Sequence, residues 1–345
     1  KRSYNNDGNV GWLGAFGQLE YDVNDNFNTF ISLALSNTSY QRVDYFNYLD
    51  SDPLQTTDTY NFLGYSAKGG ANYRVNENHN VFANIGYFEK AAGFDAVFLN
   101  FNNETINADA ENQKITSFEL GYGYRSGKLS ANVNIYHTAW RDRTETQSFR
   151  QPDNTNAVAN ILGVDAVHQG LELDFLYRAS EKLKITGMAS FGDWRWDSNV
   201  ENVQITNEDQ EVVDTVNLYI EGLHVADAAQ TTMALGLNYK LTPKTTFVVD
   251  YNYYADLYAD FDPSRRGTLG APDAWNMPDY GLFDTLISHT FDLGPFETTM
   301  TARMNNVFDT EYISDARDGS GSVANTSLVY YGYGRTFSLG AKLNF

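Results

Sequence analysis

The sequence predicts an all-β chain that forms the wall of a transmembrane antiparallel β-barrel, with about 13 strands present. Three observations point there. Apolar and polar residues alternate with period two along most of the chain. Short turns and long polar loops follow one another in strict alternation. No apolar run approaches the ~18 residues of a membrane helix, so a membrane fold has to use strands. The last stretch shows the pattern most plainly. Phe337, Leu339, Ala341, Leu343 and Phe345 are apolar, while Ser338, Gly340, Lys342 and Asn344 are small or polar. A soluble β-sandwich could end on the same alternation, so the rest of the chain has to decide.

Taken in order, the strands read as hairpins. Segment 8–22 puts Leu13, Ala15, Gly17, Leu19 and Tyr21 on one face, and Asn24-Asp25-Asn26 turns the chain. Segment 27–41 returns with Phe27, Thr29, Ile31, Leu33 and Leu35 on the same face. Further pairs follow at 60–75 and 79–88, 115–125 and 129–145, and 169–179 and 183–196. The last hairpins are 230–241 with 245–255 and 279–290 with 296–312, and segment 327–345 closes the chain. The short turns include Asn76-Glu77-Asn78, Ser126-Gly127-Lys128, Ser180-Glu181-Lys182, Thr242-Pro243-Lys244 and Leu293-Gly294-Pro295. The long loops are 42–59, 89–114, 146–168, 197–229, 256–278 and 313–326. A sandwich or propeller would mix loop lengths at both ends. One-sided long loops are how outer-membrane barrels are built.

Charge follows the same division. The formal net charge is −20, and the six loops carry −18 of it, with 197–229 alone at −8. Segment charges such as Glu119, Arg125, Glu172, Asp174, Arg178 and Asp250 fall on the polar parity, where they stay hydrated or paired. A negative chain excludes a nucleic-acid role, which needs a basic face. The absence of cysteine excludes a disulfide framework and thiolate metal sites. Mean hydropathy of −0.45 is compatible with a barrel, since half of each strand faces water. Aromatics gather near strand ends, at Tyr21, Phe27, Tyr122, Tyr124, Tyr251, Tyr253 and Phe345, as in an interfacial girdle.

Strand parity adds an expectation. The first and last segments run in the same direction, whereas bacterial single-chain barrels have even strand numbers. An open sheet in lipid would leave costly unpaired backbone groups. Residues 1–345 are therefore expected to be one portion of a barrel, completed by strands upstream or by another chain.

Two stretches carry a family resemblance. Asn306-Val307-Phe308-Asp309-Thr310-Glu311-Tyr312 resembles the Asn-Leu-Phe-Asp-x-x-Tyr motif near the end of TonB-dependent outer-membrane receptors, with Val307 in place of Leu. Gly334-Arg335-Thr336-Phe337, running to Phe345, resembles that family's C-terminal strand, with Tyr333 where proline often precedes. The acidic, Asn- and Tyr-rich style is similar to receptors of the Bacteroidota. The resemblance implies a 22-strand barrel with an N-terminal plug and a TonB box outside this chain, so that these are its last 13 strands. It implies residence in the outer membrane of a Gram-negative bacterium, with loops extracellular and the C-terminus periplasmic. It also implies active import of a scarce, bulky nutrient (siderophore, glycan or peptide class), powered through TonB acting on the plug. Implied partners are outer-membrane lipid and lipopolysaccharide, TonB, and a surface lipoprotein or other outer-membrane subunits. An accessory barrel of a larger complex and a passive porin remain open as alternatives.

No catalytic constellation appears. The five histidines lie on separate segments, and no Gly-x-Ser-x-Gly elbow is present, so an enzyme is not expected. Asp256, Asp260 and Asp262 are close in sequence and are candidates for a loop Ca²⁺ site, against a solvated loop neutralised by Arg265 and Arg266. Glu208-Asp209-Gln210-Glu211 is a second acidic run. Trp140, Trp194 and Trp196 fall on the inward parity near the long-loop end and are candidates for stacking on a ligand, against packing under the loops. Arg141 and Arg143 are expected to face outward, toward lipopolysaccharide phosphates or into loop salt bridges. Glu119, Arg125, Glu172, Arg178 and Asp250 are expected to line the lumen and face a plug.

Overall fold

The computed structural model describes residues 4–98, 102–104, 106–108, 110–150, 155–207 and 211–344. In chain order the strands are β1 (Asn6–Asn24), β2 (Phe27–Asp44), β3 (Tyr60–Arg74), β4 (His79–Lys90), β5 (Gln113–Arg125) and β6 (Leu129–Arg150). Next come β7 (Asn156–Arg178), β8 (Leu183–Trp196), β9 (Val200–Asn207), β10 (Val212–Leu218), β11 (Thr231–Thr242) and β12 (Thr245–Ala255). The last are β13 (Tyr280–Leu293), β14 (Phe296–Asn305), β15 (Ile313–Arg317), β16 (Leu328–Tyr331) and β17 (Thr336–Asn344). The wall is the antiparallel path from β1 through β8, then β11 to β14 and β17, which is thirteen strands. Among the described residues β1 pairs with β2 alone and β17 with β14 alone, so the sheet is open at both edges.

Register fixes which side chains share a face. Leu120 lies opposite Ile135, Ile135 opposite Leu171, and Leu171 opposite Phe191. One residue along, Gly121, Asn134, Glu172 and Ser190 form the adjacent row. The first row points outward and the second inward, and a one-residue slip would exchange them. Outward residues are bare: Leu13 is 75 % exposed, Ile85 62 % and Leu339 82 %. An apolar belt of this kind is stable against lipid and not against water.

A single-layer wall has no interior of its own, so the dry cores form beyond it, under the long loops. Ile161, Val164, Leu218, Ile220 and Phe261 build one core, Leu257, Ala259, Met277 and Ala316 a second, and Tyr40, Val97 and Phe98 a third.

Several predicted loops are more regular than the sequence suggested. Segment 146–168 is largely strand, since β6 runs to Arg150 and β7 starts at Asn156, with Thr146 opposite Asn160. Irregular pairing between Trp140 and Glu145, with Asp142 at φ 56° and Gly163 at φ 70°, breaks the alternation and hides the strand. Segment 197–229 holds the β9–β10 hairpin, and β9 pairs with β7. Segment 313–326 contains β15, which pairs with β16, so the last wall strand starts at Thr336 rather than 327. Phe345 and residues 208–210 lie outside the described residues.

The stretch Asn306–Tyr312 explains where β14 stops. Asn306 takes a left-handed backbone at φ 49° and is buried. Its backbone N donates to Asp284 Oδ1 at 2.8 Å, its Nδ2 donates to the Thr310 carbonyl at 2.9 Å, and its Oδ1 accepts from Thr310 N at 2.8 Å. Asp309 Oδ1 accepts from Arg335 N at 2.7 Å, which pins the approach to β17. Phe308 meets Phe283 edge-on at 5.2 Å, and Tyr312 stacks on Tyr280 at 4.4 Å. Asn306→Ala is expected to cost about 2 kcal/mol by stranding these buried groups. The check is the temperature at which the folded barrel loses its fast gel mobility, and an unchanged temperature would mean the turn does not pin the last strand.

Candidate functional site at the long-loop mouth

The inward aromatics form two clusters. Trp194 donates from Nε1 to the Tyr136 hydroxyl at 2.8 Å, and its backbone N donates to Gln230 Oε1 at 2.8 Å. The His168 ring lies 5.5 Å from it. This arrangement needs the facing pair Gly170 and Gly192. A Cβ on Gly170 would sit 2.5 Å from the Phe191 carbonyl oxygen and 2.7 Å from the Tyr136 hydroxyl, and one on Gly192 would sit 2.7 Å from Trp194 Nε1. The glycines clear a bed on which Tyr136 and Trp194 lie against the wall.

Trp140 donates from Nε1 to Gln113 Oε1 at 2.9 Å. The Arg143 guanidinium lies 4.6 Å from the Trp140 ring and 4.9 Å from the Trp196 ring, and it pairs with Glu145 at 2.6 Å. This corrects the outward expectation for Arg143: the bulge at Asp142 shifts the parity and swings the side chain to the inner face. Arg141 does face outward, where it is held by Asp165 at 2.7 Å and Asp197 at 2.8 Å. Trp196 is only 5 % exposed and meets Phe261 edge-on at 6.0 Å, so it belongs to the core beneath the loops. Trp140 and Trp194 remain half-buried.

The three sequence-neighbour aspartates have separate roles. Asp256 accepts from the Thr231 hydroxyl at 2.7 Å. Asp262 caps the one-turn helix Pro263–Arg265 and pairs with Arg265 at 2.9 Å. Asp260 instead meets Asp227 and Asp315, with carboxylate oxygens within 4.8 Å of one another. Backbone bonds hold Asp260 there: its N donates to Ala316 O at 2.8 Å, and Asp318 N donates to its carbonyl at 2.7 Å. Three carboxylates at this spacing offer hard oxygen donors of the kind a divalent cation takes. Burial, then repulsion from Asp227 and Asp315, pushes Asp260 up to about 7. Burial also raises Glu145 and Asp227, against the pull of Arg143. Nearby, Arg266 and Asp318 pair at 3.0 Å with both side chains buried, and Tyr219 N donates to Arg266 O at 2.8 Å. That pair ties three long loops together, and removing one partner would leave a buried charge at a cost of about 3–5 kcal/mol.

Lower on the inner face, Asn84 Nδ2 donates to Glu119 at 3.0 Å, while Asn134 Nδ2 lies 3.2 Å from Glu119 and 2.9 Å from Glu172. Asp174, Asp250, Asp284 and Arg303 line a wall cavity of about 520 Å³. Arg125 and Arg178 lie on the same inner face at its short-turn end, as the last residues of β5 and β7. Sequence reasoning missed Tyr136, His168, Glu145, Asp227 and Asp315. Gly170, a glycine within the predicted segment 169–179, was the available clue to the first two.

The family model for the TonB dependent receptor-like β-barrel matches residues 2–307. The chain belongs to the TonB-dependent receptor family. Such barrels reside in the outer membrane of Gram-negative bacteria. Among solved structures it is similar to the copper transporter OprC, at 18 % identity and TM-score 0.68, covering 98 % of this chain and 48 % of that one. It is similar to the siderophore receptor PiuA from Acinetobacter baumannii at 15 % identity and TM-score 0.69, covering 99 % and 44 %. The ferric yersiniabactin uptake receptor FyuA from Yersinia pestis gives 16 % identity and TM-score 0.63, covering 99 % and 46 %. The chain thus spans about half the length of these receptors. Among curated proteins none matches by sequence.

The receptor's Asp260 yields a pH dependence with a defined sign. Its folded pKa of about 7 lies above that of an exposed carboxylate, so folding of the loop cap favours the protonated form. The stability this gives is fully present below the unfolded pKa of about 4 and is lost as pH rises through about 7. Protease cleavage of the 256–278 and 313–326 segments is expected to speed up between pH 5 and 8 by about severalfold in the parent, and to flatten in Asp260→Asn. The same slope in both proteins would refute the assignment.

Proposed function

We propose that this chain is the C-terminal portion of the wall of a TonB-dependent importer that takes up a scarce, bulky nutrient of the siderophore, glycan or peptide class. The observation that carries this reading is the asymmetry of the wall within a shown family. One end has short turns, and the other is roofed by loops bundled through Arg266–Asp318 over half-buried Trp140 and Trp194. Similar solved structures are a copper transporter, a siderophore receptor and a ferric yersiniabactin uptake receptor, which supports a cargo too dilute for diffusion to supply.

In this reading the long loops are extracellular and the short turns periplasmic. Trp140 and Trp194 present rings to an arriving ligand, and the bed at Gly170 and Gly192 keeps Trp194 flat so that cargo can pass. The carboxylates Glu119, Glu172 and Asp250 face the plug, and the Asn84–Glu119–Asn134–Glu172 lattice holds the first two in fixed positions. TonB acts on the plug from the periplasm, while this part of the chain does no covalent chemistry.

Purified full-length protein in planar bilayers is expected to hold no steady current at rest, and to bind the periplasmic domain of TonB. A steady ohmic conductance without any plug removal would overturn the proposal in favour of a passive porin.

A further inference from the structure

Register places the cations of the short-turn end on the inner face of the wall. Arg74, Arg125 and Arg178 are the last residues of β3, β5 and β7, and Lys240 lies two residues from the end of β11, all strands of one direction. Arg125 shares the parity of Gly121, and Arg178 that of Glu172, both inward. Arg74 lies opposite Asn80, and Asn80 opposite Gly123, which carries the inward parity to β3. Lys184 lies opposite both Arg178 and Asn238, which carries it to Lys240. All five cations are exposed.

The wall itself places no carboxylate beside them. On one side of the ladder Arg74, Arg125 and Lys240 meet Asn80, Ser130 and Thr246, while Arg178 and Lys184 meet each other. On the other side the backbone N of Arg74, Arg125, Arg178 and Lys240 donates to a turn carbonyl, of Asn26, Asn78, Lys128 and Lys182 respectively. One inward step higher on the same four strands stand Asn72, Gly123, Leu176 and Asn238. The inner acids begin further up, with Asp174 four residues above Arg178 and Asp250 four above Thr246, about 13 Å along the strand. The acids of these turns, Asp25, Glu77 and Glu181, are matched by Lys128, Lys182 and Lys244, so the rim stays positive. Among the described residues none of the five pairs with a carboxylate, and Arg74 reaches the Asp25 carbonyl at 3.4 Å. At the other end of the wall the pattern inverts: Lys114, Arg141, Arg143, Arg195, Arg265 and Arg266 each hold a carboxylate.

We propose that this inner basic rim docks a carboxylate-bearing face of the plug, the domain outside this chain that fills the lumen. The inference deepens the import reading and rests on it. Like charges lining one enclosed space with low-dielectric walls add their fields, so the rim draws anionic groups. A neutral or basic face packed there would bury unpaired cations, which is costly. The inward orientation turns the rim away from lipid. Similar receptors are about twice as long as this chain, so a covalently joined occupant is available. Tethering gives that occupant an effective concentration of about millimolar, which a free acidic protein has to exceed.

Carbodiimide cross-linking of the purified full-length protein tests it, because the reagent joins an amine to a carboxylate in direct contact. Lys240 and Lys184 are expected to couple to Asp or Glu outside residues 1–345 of the same molecule. The variant Arg74→Lys, Arg125→Lys and Arg178→Lys, which keeps the charge, is expected to add further links to that domain. In the variant Arg74→Gln, Arg125→Gln, Arg178→Gln and Lys240→Gln, amide hydrogen exchange in the linked segment is expected to speed up about tenfold or more. The lysine variant is expected to keep the parent's protection, and heat-modifiable gel mobility confirms that each wall is folded. Links confined to residues 1–345, links only to another polypeptide, or unchanged exchange in the glutamine variant would overturn the proposal. If those links are missing in a parent that holds no resting current and binds TonB, the docking proposal falls alone. If the links form in a parent that conducts steadily at rest, the docking stands and the import reading falls.

Discussion

Backbone hydrogen bonding in hydrocarbon is the constraint on which the rest depends. An unpaired amide or carbonyl in lipid costs several kcal/mol, so a strand there must be paired along its length. The ladder from β1 to β17 meets that demand across the wall's interior. Once the ladder is fixed, side chains can only alternate. Leu120, Ile135, Leu171 and Phe191 are sent to lipid, while Asn134, Glu172 and Ser190 face inward. Among the described residues, the two open edges at β1 and β17 are where the same demand is unmet.

The wall's thinness then decides where packing happens. With one layer there is nothing for an inner face to bury against, so Ile161, Leu218, Ile220 and Phe261 pack where β6 and β7 overrun the wall and β9 joins them. This core supports the mouth: Trp196 is part of it, Arg143 lies against Trp196, and Trp140 lies on the other side of Arg143. The acid cluster of Asp227, Asp260 and Asp315 is assembled by the same loop packing, which brings three distant segments together.

What the sequence revealed was whatever is periodic or local. The thirteen wall strands, their faces and the short turns all follow from period-two alternation and turn chemistry. The Asn306–Tyr312 stretch was legible through its resemblance to a family motif, although its anchors Asp284 and Arg335 lie on β13 and beside β17. What stayed hidden was aperiodic or distant. One left-handed residue, Asp142, was enough to disguise the upper part of β6 as a loop and to misplace Arg143. The pairing of β15 with β16 and the meeting of Asp260 with Asp227 and Asp315 depend on loops far apart in sequence, and no local pattern records them. Proximity in sequence misled as well, since Asp256 and Asp262 serve a strand end and a helix cap.

The central claim is that alternate residues of one strand face lipid and lumen. The chain has no cysteine, so thiol labelling has no background from it. Single cysteines at Ile185, Gly187 and Ala189 lie on the outward row of β8, and those at Thr186, Met188 and Ser190 on the inward row. In native membranes a membrane-dissolved maleimide is expected to label the first three and spare the second three. Equal labelling of both rows, or the inverse pattern, would contradict the account.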